Sequence, residues 1–159
     1  MTTKAFFPGS FDPFTAGHLN ILKRALTMFD EVIVAVAASN KKQPLFSLEE
    51  RVALAEQATA HLENVRVVSF DGLLVDFARE MEAPVVVKGL RAITDFEYEF
   101  QMTAINYELS ADFETVFIMS QPQHMYLSSS VVREVASMNG EIEQFVPPCV
   151  ASVLKTKFA

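Results

Sequence analysis

Glu31-Val32-Ile33-Val34-Ala35-Val36-Ala37 is the stretch that decides the fold. It is apolar without interruption from Val32 to Ala37, so it carries no polar face to turn to water. A strand of this kind suits a parallel sheet covered on both faces, and such a sheet needs helices as crossovers between its strands. Working outward, four further β-rich runs appear: Lys4 to Phe7, Val65 to Phe70, Val85 to Lys88 and Glu114 to Ile118. Helical patterns separate them. Ile21, Leu22, Ala25, Leu26 and Phe29 keep helical spacing, and Ser47-Leu48-Glu49-Glu50 matches a capping box that opens a helix running to about His61. Leu73, Leu74, Phe77, Ala78 and Met81 form one apolar stripe, and Thr94-Asp95-Phe96-Glu97 is a second capping box ahead of a helix to about Leu109. Ser128 to Met138 is helical and closes at Asn139-Gly140. Residues 141–159 read as a terminal helical segment interrupted near Pro147-Pro148. The expectation is an α/β fold, a doubly wound, five-stranded parallel sheet in a single domain over residues 1–159.

Composition narrows the function classes. The chain has 159 residues, half of them hydrophobic, which is enough to bury a continuous core between a sheet and its helices. A net charge of -7 argues against DNA or RNA as a partner, because polyanion binding rests on clustered Lys and Arg. Cys149 is the single cysteine, so no internal disulfide can form and Cys-rich zinc or redox sites are excluded. The N-terminus lacks the charged start and long apolar run of a signal peptide, and no later run is long enough to span a bilayer. A cytoplasmic protein with no membrane partner is expected.

In open parallel sheets, ligands bind beyond the carboxyl ends of the strands, where loops and helix N-termini expose backbone donors. Here the first strand is followed by Pro8-Gly9-Ser10-Phe11-Asp12-Pro13-Phe14-Thr15-Ala16-Gly17-His18 and the second by Ser39-Asn40-Lys41-Lys42. The fourth is followed by Gly89-Leu90-Arg91, and the fifth leads to Ser128-Ser129-Ser130. Basic and hydroxyl side chains thus converge on one rim of an acidic protein, as a triphosphate and a second anionic substrate would require. Neither Gly-x-x-x-x-Gly-Lys-Ser/Thr nor Gly-x-Gly-x-x-Gly is present. A lone histidine is more often a packing or surface residue than a catalyst. The weight on His18 comes from Phe11-Asp12-Pro13 and Thr15-Ala16-Gly17-His18 occurring together directly after the first strand.

Gly9 to His18 resembles the (Thr/His)-x-Gly-His signature of the nucleotidylyltransferase superfamily, and Ser128-Ser129-Ser130-Val131-Val132-Arg133 resembles its second, serine-rich motif. Lys88-Gly89-Leu90-Arg91-Ala92, Asp95-Phe96-Glu97-Tyr98-Glu99 and Asn106 narrow the resemblance to the phosphopantetheine adenylyltransferase family, over nearly the whole chain. Ser10 stands where Thr is also used, Lys88 where Arg is also used, and His124 where some relatives carry an aromatic residue.

That resemblance implies a Rossmann-like nucleotidyltransferase fold and a reversible adenylyl transfer from ATP to 4′-phosphopantetheine, giving dephospho-coenzyme A and pyrophosphate. Phosphate needs no strong base to act as a nucleophile near neutral pH, so positioning and charge stabilisation should dominate. By resemblance, His18, Lys42 and Arg91 are the catalytic group, His18 donating to the α-phosphate. Ser10, Lys42, Leu74, Lys88 and Asn106 would bind phosphopantetheine. Ser10, Phe11, His18, Gly89, Leu90, Arg91 and Glu99 would bind ATP together with the loop His124, Met125, Tyr126, Leu127, Ser128, Ser129 and Ser130. Plainer readings stand beside these: a solvated turn for Lys41-Lys42, a salt bridge to Asp95 for Arg91, a solvated helix face for Glu99, core packing for Leu74, and N-capping for the serines. Mg²⁺ is expected to enter on the triphosphate with few protein ligands, so metal residues are unassigned. The resemblance further implies a homohexamer and feedback inhibition by coenzyme A.

Competing readings are a relative acting on nicotinamide mononucleotide, flavin mononucleotide or glycerol phosphate, and a noncatalytic nucleotide-binding regulator. Lys88-Gly89-Leu90-Arg91 disfavours the first, and retention of His18, Lys42 and Arg91 disfavours the second. A coenzyme-binding oxidoreductase would need an acidic residue after the second strand, where this chain has Ser39-Asn40-Lys41.

Overall fold

The structure is a computed structural model that describes residues 1–38, 43–92 and 96–159. Five strands, β1 (Lys4–Gly9), β2 (Glu31–Ala37), β3 (Val65–Phe70), β4 (Val85–Leu90) and β5 (Glu114–Met119), form one sheet in the order β3-β2-β1-β4-β5, every pairing parallel. Helices α1 (Ala16–Ala25), α2 (Leu48–Thr59), α3 (Leu74–Glu80) and α4 (Phe96–Leu109) supply the crossovers, followed by α5 (Ser129–Ser137) and α6 (Pro148–Lys157). The doubly wound parallel sheet expected from the apolar strands is therefore the observed architecture.

Alternation along the central strands divides the core into two layers. Ala5, Phe7, Val32, Val34 and Val36 point to one face, where they meet Leu22 and Ala25 of α1, Leu54 and Ala55 of α2, Val132 of α5 and Leu154 of α6. Phe6, Ile33, Ala35 and Val86 point to the other, against Val75, Phe77 and Ala78 of α3. A residue such as Phe6, wholly enclosed, contributes roughly 2–3 kcal/mol through the apolar surface it removes from water.

The order reverses between β1 and β4, and the two strands separate there. β1 pairs with β2 along its whole length, Lys4↔Glu31 to Gly9↔Val36, but with β4 only at Ala5↔Val85 and Phe6↔Val86. This explains how Pro8, which has no N–H to donate, is tolerated in a central strand: its β4 side has already left the ladder. The strands extend further than the sequence suggests. Gly9, Gly89 and Leu90 belong to strands rather than to the loops that follow, because β4 stays paired with β5 out to Leu90↔Met119.

Helix signals are mostly as expected. Ser47 caps α2, accepting from Glu50 N–H at 3.1 Å while the Glu50 carboxylate accepts from Ser47 N–H at 2.7 Å. The Thr94-Asp95 cap lies outside the described residues. The terminal segment is shorter than expected: residues 141–147 are turn and irregular backbone, and α6 begins only at Pro148. Proline is well suited to the first helical position, where its missing N–H would have had no partner.

Candidate active site

At the switch point between β1 and β4 lies a cleft of about 640 Å³. It is walled by the first loop (Pro8, Ser10, Phe11, Asp12, Thr15, Gly17, His18), by Lys88, Gly89 and Arg91 at the end of β4, by Glu99 of α4, and by His124 and Leu127 to Ser130 leading into α5. The two motifs, more than a hundred residues apart in sequence, are joined directly. Ser129 Oγ donates to the Pro13 carbonyl at 2.7 Å, and the Arg133 guanidinium donates to the Asp12 carbonyl.

The first loop is shaped by aromatic packing. Phe11 adopts a left-handed backbone (φ 49°), unusual for a bulky residue, and its buried ring lies 4.9 Å from the His18 ring and 5.4 Å from Phe7, centroid to centroid. Gly9 makes room for it: a Cβ there would sit 3.1 Å from the Phe11 ring. Asp12 ties this loop to the start of α2. It is 6% exposed, and its carboxylate accepts from Leu45 N–H and Phe46 N–H, each at 2.9 Å, with Arg133 Nη1 3.7 Å away.

His18 is the third residue of α1, and it completes a capping box. Thr15 Oγ1 accepts from His18 N–H at 3.2 Å, while His18 Nδ1 accepts from Thr15 N–H at 2.9 Å. A backbone N–H can only donate, so Nδ1 must be the unprotonated nitrogen and Nε2 carries the hydrogen. Burial, and secondarily the charge of Arg91, push the His18 pKa down to about 3. His18 is thus a neutral imidazole with one N–H left to offer, at the N-terminus of a helix where the Phe145 carbonyl takes the Ala16 N–H and Thr15 takes the His18 N–H, which leaves the Gly17 N–H for a ligand.

The other expected residues divide into three groups. Ser10, Phe11, His18, Lys88, Gly89, Arg91, Glu99, His124, Leu127, Ser128, Ser129 and Ser130 are brought together around the cleft. Within it, Lys88 Nζ and Glu99 Oε2 form an ion pair at 2.7 Å, so Glu99 faces the site rather than solvent. Arg91 Nη1 donates to the Leu127 carbonyl at 2.8 Å, linking β4 to the second motif. Ser128 caps α5 by accepting from Val131 N–H, and Ser130 Oγ accepts from Arg133 Nη2 at 3.3 Å. These hydroxyls organise the loop, and what the site can offer an anion is chiefly the free amides of the first turn of α5.

A second group lies outside the cleft lining. Leu74 packs against the core layer of Phe6, Phe77 and Phe113; Asn106, on α4, is 5% exposed; Leu90 ends β4; Met125 and Tyr126 sit in the turn before α5, with Tyr126 70% exposed. The third group is Lys42, which falls outside the described residues.

Sequence reasoning assigned no role to Arg51, Asp12 or Arg133, all of which line the cleft. Arg133 had a signal, since it closes the second motif. Leu48-Glu49-Glu50-Arg51 reads as one polar turn of helix, and nothing in it marks Arg51 as 2% exposed. Among the described residues no three His, Cys, Asp or Glu side chains gather where they could hold a metal ion.

A neutral capped histidine, cationic walls and helix N-termini at the switch point of a parallel sheet define a nucleotide-handling transferase site. The cytidylyltransferase-like family model matches residues 6–135, and the chain belongs to that family. Two curated relatives, each named phosphopantetheine adenylyltransferase, come from Legionella pneumophila strains Lens and Philadelphia 1. Each is 50% identical over 157 residues, covering 99% of this chain and 92% of the relative. The crystal structure of a Vibrio parahaemolyticus protein provisionally named nicotinate-nucleotide adenylyltransferase superposes with a TM-score of 0.73, covering 98% of this chain and 93% of that one. At 18% identity it supports the fold alone.

Proposed function

We propose that this nucleotidyltransferase reversibly moves the adenylyl group of ATP onto 4′-phosphopantetheine, forming dephospho-coenzyme A and pyrophosphate. The acceptor is supported by the half-identical relatives named phosphopantetheine adenylyltransferase, which match along nearly their full length. The chemistry rests on one observation: the Thr15 cap holds His18 neutral with its proton on Nε2. An oxygen of the acceptor phosphate attacks the α-phosphorus, and the bond from that phosphorus to the β-phosphate bridging oxygen breaks, releasing pyrophosphate. No group on the protein need take a proton from a phosphate that is already ionised. His18 donates a hydrogen bond to a non-bridging α-oxygen as charge builds there, and Arg91, Lys88, the Gly17 amide of α1 and the amides at the start of α5 hold the phosphates in line. Lys42 is assigned to the acceptor phosphate, and the loop from His124 to Ser130 to the nucleotide.

Mg²⁺ fits as an ion carried in on the triphosphate. Asp12 is engaged by two backbone amides and Glu99 by Lys88, so the cleft's carboxylates already have partners. The ion would be held by oxygens of the triphosphate and by water rather than by the cations and amides of the cleft, and it would neutralise part of the phosphate charge. A homohexamer, with coenzyme A as a feedback ligand of the same cleft, completes the proposal. So does a cytoplasmic location; among the described residues no helix is long and apolar enough to cross a membrane.

The test is pyrophosphate release from ATP and Mg²⁺ with phosphopantetheine, nicotinamide mononucleotide, flavin mononucleotide or glycerol phosphate offered separately. Release with phosphopantetheine alone is expected. Release with a different acceptor would overturn the acceptor, and silence with all four would overturn the enzyme.

A further inference from the structure

Arg51 is a cation in an unusual position. It sits on the first turn of α2, is 2% exposed, and lines the cleft from beneath Ser10. Its guanidinium gathers three carbonyls: Nε donates to Phe46 O at 3.2 Å, and Nη1 donates to Ser10 O and to Ala37 O, both at 2.8 Å. These are the end of the first loop's opening, the last residue of β2, and the residue just ahead of the α2 cap. A guanidinium has five N–H donors, and the two on Nη2 carry no acceptor among the described residues. Among the described residues no carboxylate lies within ion-pair distance of it. A cation removed from water without a counter-ion is costly, and carbonyl dipoles compensate it only in part.

From this we infer that Arg51 is a substrate-positioning residue whose missing counter-ion is the phosphate monoester of the acceptor, bound on the Ser10 side of the cleft. The inference rests on the proposed adenylyl transfer and deepens it. Arg51 does two things there. It clamps Ser10 and the end of β2 into one rigid wall, and its Nη2 edge directs positive charge at the anion seated against that wall. The nucleotide phosphates have their own partners across the cleft, Arg91 and the α5 N-terminus, so the effect of Arg51 falls on the acceptor.

Arg51→Ala would strand three carbonyls and leave a cavity as well, so Arg51→Lys, which keeps the charge, and Arg51→Met, which strands the same carbonyls but keeps the volume, are compared. For folded Arg51→Met, KM for phosphopantetheine should rise about tenfold or more, while KM for ATP changes less than about threefold, as for loss of a charge-assisted contact. Arg51→Lys should recover a substantial part of that loss. Equal rises in both KM values, or lowered thermal stability with both KM values unchanged, would overturn the inference and leave Arg51 a structural clamp. A second measurement does not depend on the acceptor's identity: thermal stabilisation of the full chain by inorganic phosphate. It should be present in the wild type, reduced in Arg51→Lys and reduced furthest in Arg51→Met, where only the nucleotide side of the cleft still binds the anion. Identical phosphate stabilisation in all three proteins would overturn the inference even if phosphopantetheine proved not to be the substrate.

Discussion

His18 is held by two forces that act in the same direction. The Thr15 N–H needs an acceptor at Nδ1, and burial beside Arg91 opposes any positive charge on the ring. Both keep the imidazole neutral. Replacing it by alanine should lower turnover by about a hundredfold or more, the usual cost of losing one transition-state donor, with KM for ATP nearly unchanged. Steady-state kinetics check this, and unchanged turnover would remove His18 from the mechanism. The same residue makes stability depend on pH. In the unfolded chain a histidine titrates near 6.5, whereas the folded value is about 3, so between these limits the unfolded chain binds a proton that the folded chain does not. The contribution of His18 is therefore fully present above pH 6.5 and lost as pH falls toward 3, with a slope of at most about 1.4 kcal/mol per pH unit. Denaturant unfolding of wild type and His18→Asn should differ by an amount that changes between pH 7 and pH 5. A constant difference would refute the shift.

The first turn of α1 and the start of α2 carry the next level of organisation. Gly17 lies in that first turn, and a Cβ added there would meet Leu127, Thr15 Oγ1 and His124 at ordinary distances of 3.5 to 3.7 Å. Nothing in the protein's own packing forbids alanine, which is the better helix former by up to about 1 kcal/mol. The added methyl would instead project into the cleft. Gly17→Ala is expected to raise the unfolding midpoint slightly while weakening ATP binding several-fold, measured by thermal denaturation and calorimetric titration on the same sample. Asp12 acts between elements, joining the first loop to the start of α2 through two backbone amides. Asn at this position presents a single acceptor and turns an N–H toward an N–H. Asp12→Asn should therefore cost about 1–3 kcal/mol in chemical denaturation. These ties were hard to read from sequence. Asp12 and Leu45-Phe46 are separated by more than thirty residues, and a buried carboxylate between them leaves no local pattern. Thr15-x-x-His18, by contrast, has the spacing of a capping box, and only the unusual partner obscured it.

The whole molecule leaves one face unfinished. Along α4, Phe96, Tyr98, Phe100, Ile105, Tyr107 and Leu109 are all exposed, and Asn106 is its buried residue. The exposed side chains fall on two opposite sides of the helix, Phe96, Phe100 and Tyr107 on one and Tyr98, Ile105 and Leu109 on the other, and a helix this apolar around its circumference calls for a covering surface, in keeping with the proposed homohexamer. Light scattering should return a mass well above 17.7 kDa for the wild type, and Ile105→Glu should shift it toward the monomer. A monomeric wild type would overturn the assembly.

The sheet, its parallel sense and the doubly wound order were open to sequence reading because they follow from local patterns: an unbroken apolar β2, amphipathic crossovers and capping signals at their starts. The two motifs were legible for a similar reason, since each lies in one short run. Tertiary structure alone decided the rest. It separated β1 from β4 beyond Phe6 to open the cleft, set the tautomer of His18, paired Lys88 with Glu99, laid Leu74 half-buried against the core, and buried Arg51 among three carbonyls. Each of these depends on which groups meet after the chain has wound back on itself. A polar side chain's charge, proton and partners are determined by that meeting, whereas an apolar periodicity is already present in the linear order of residues.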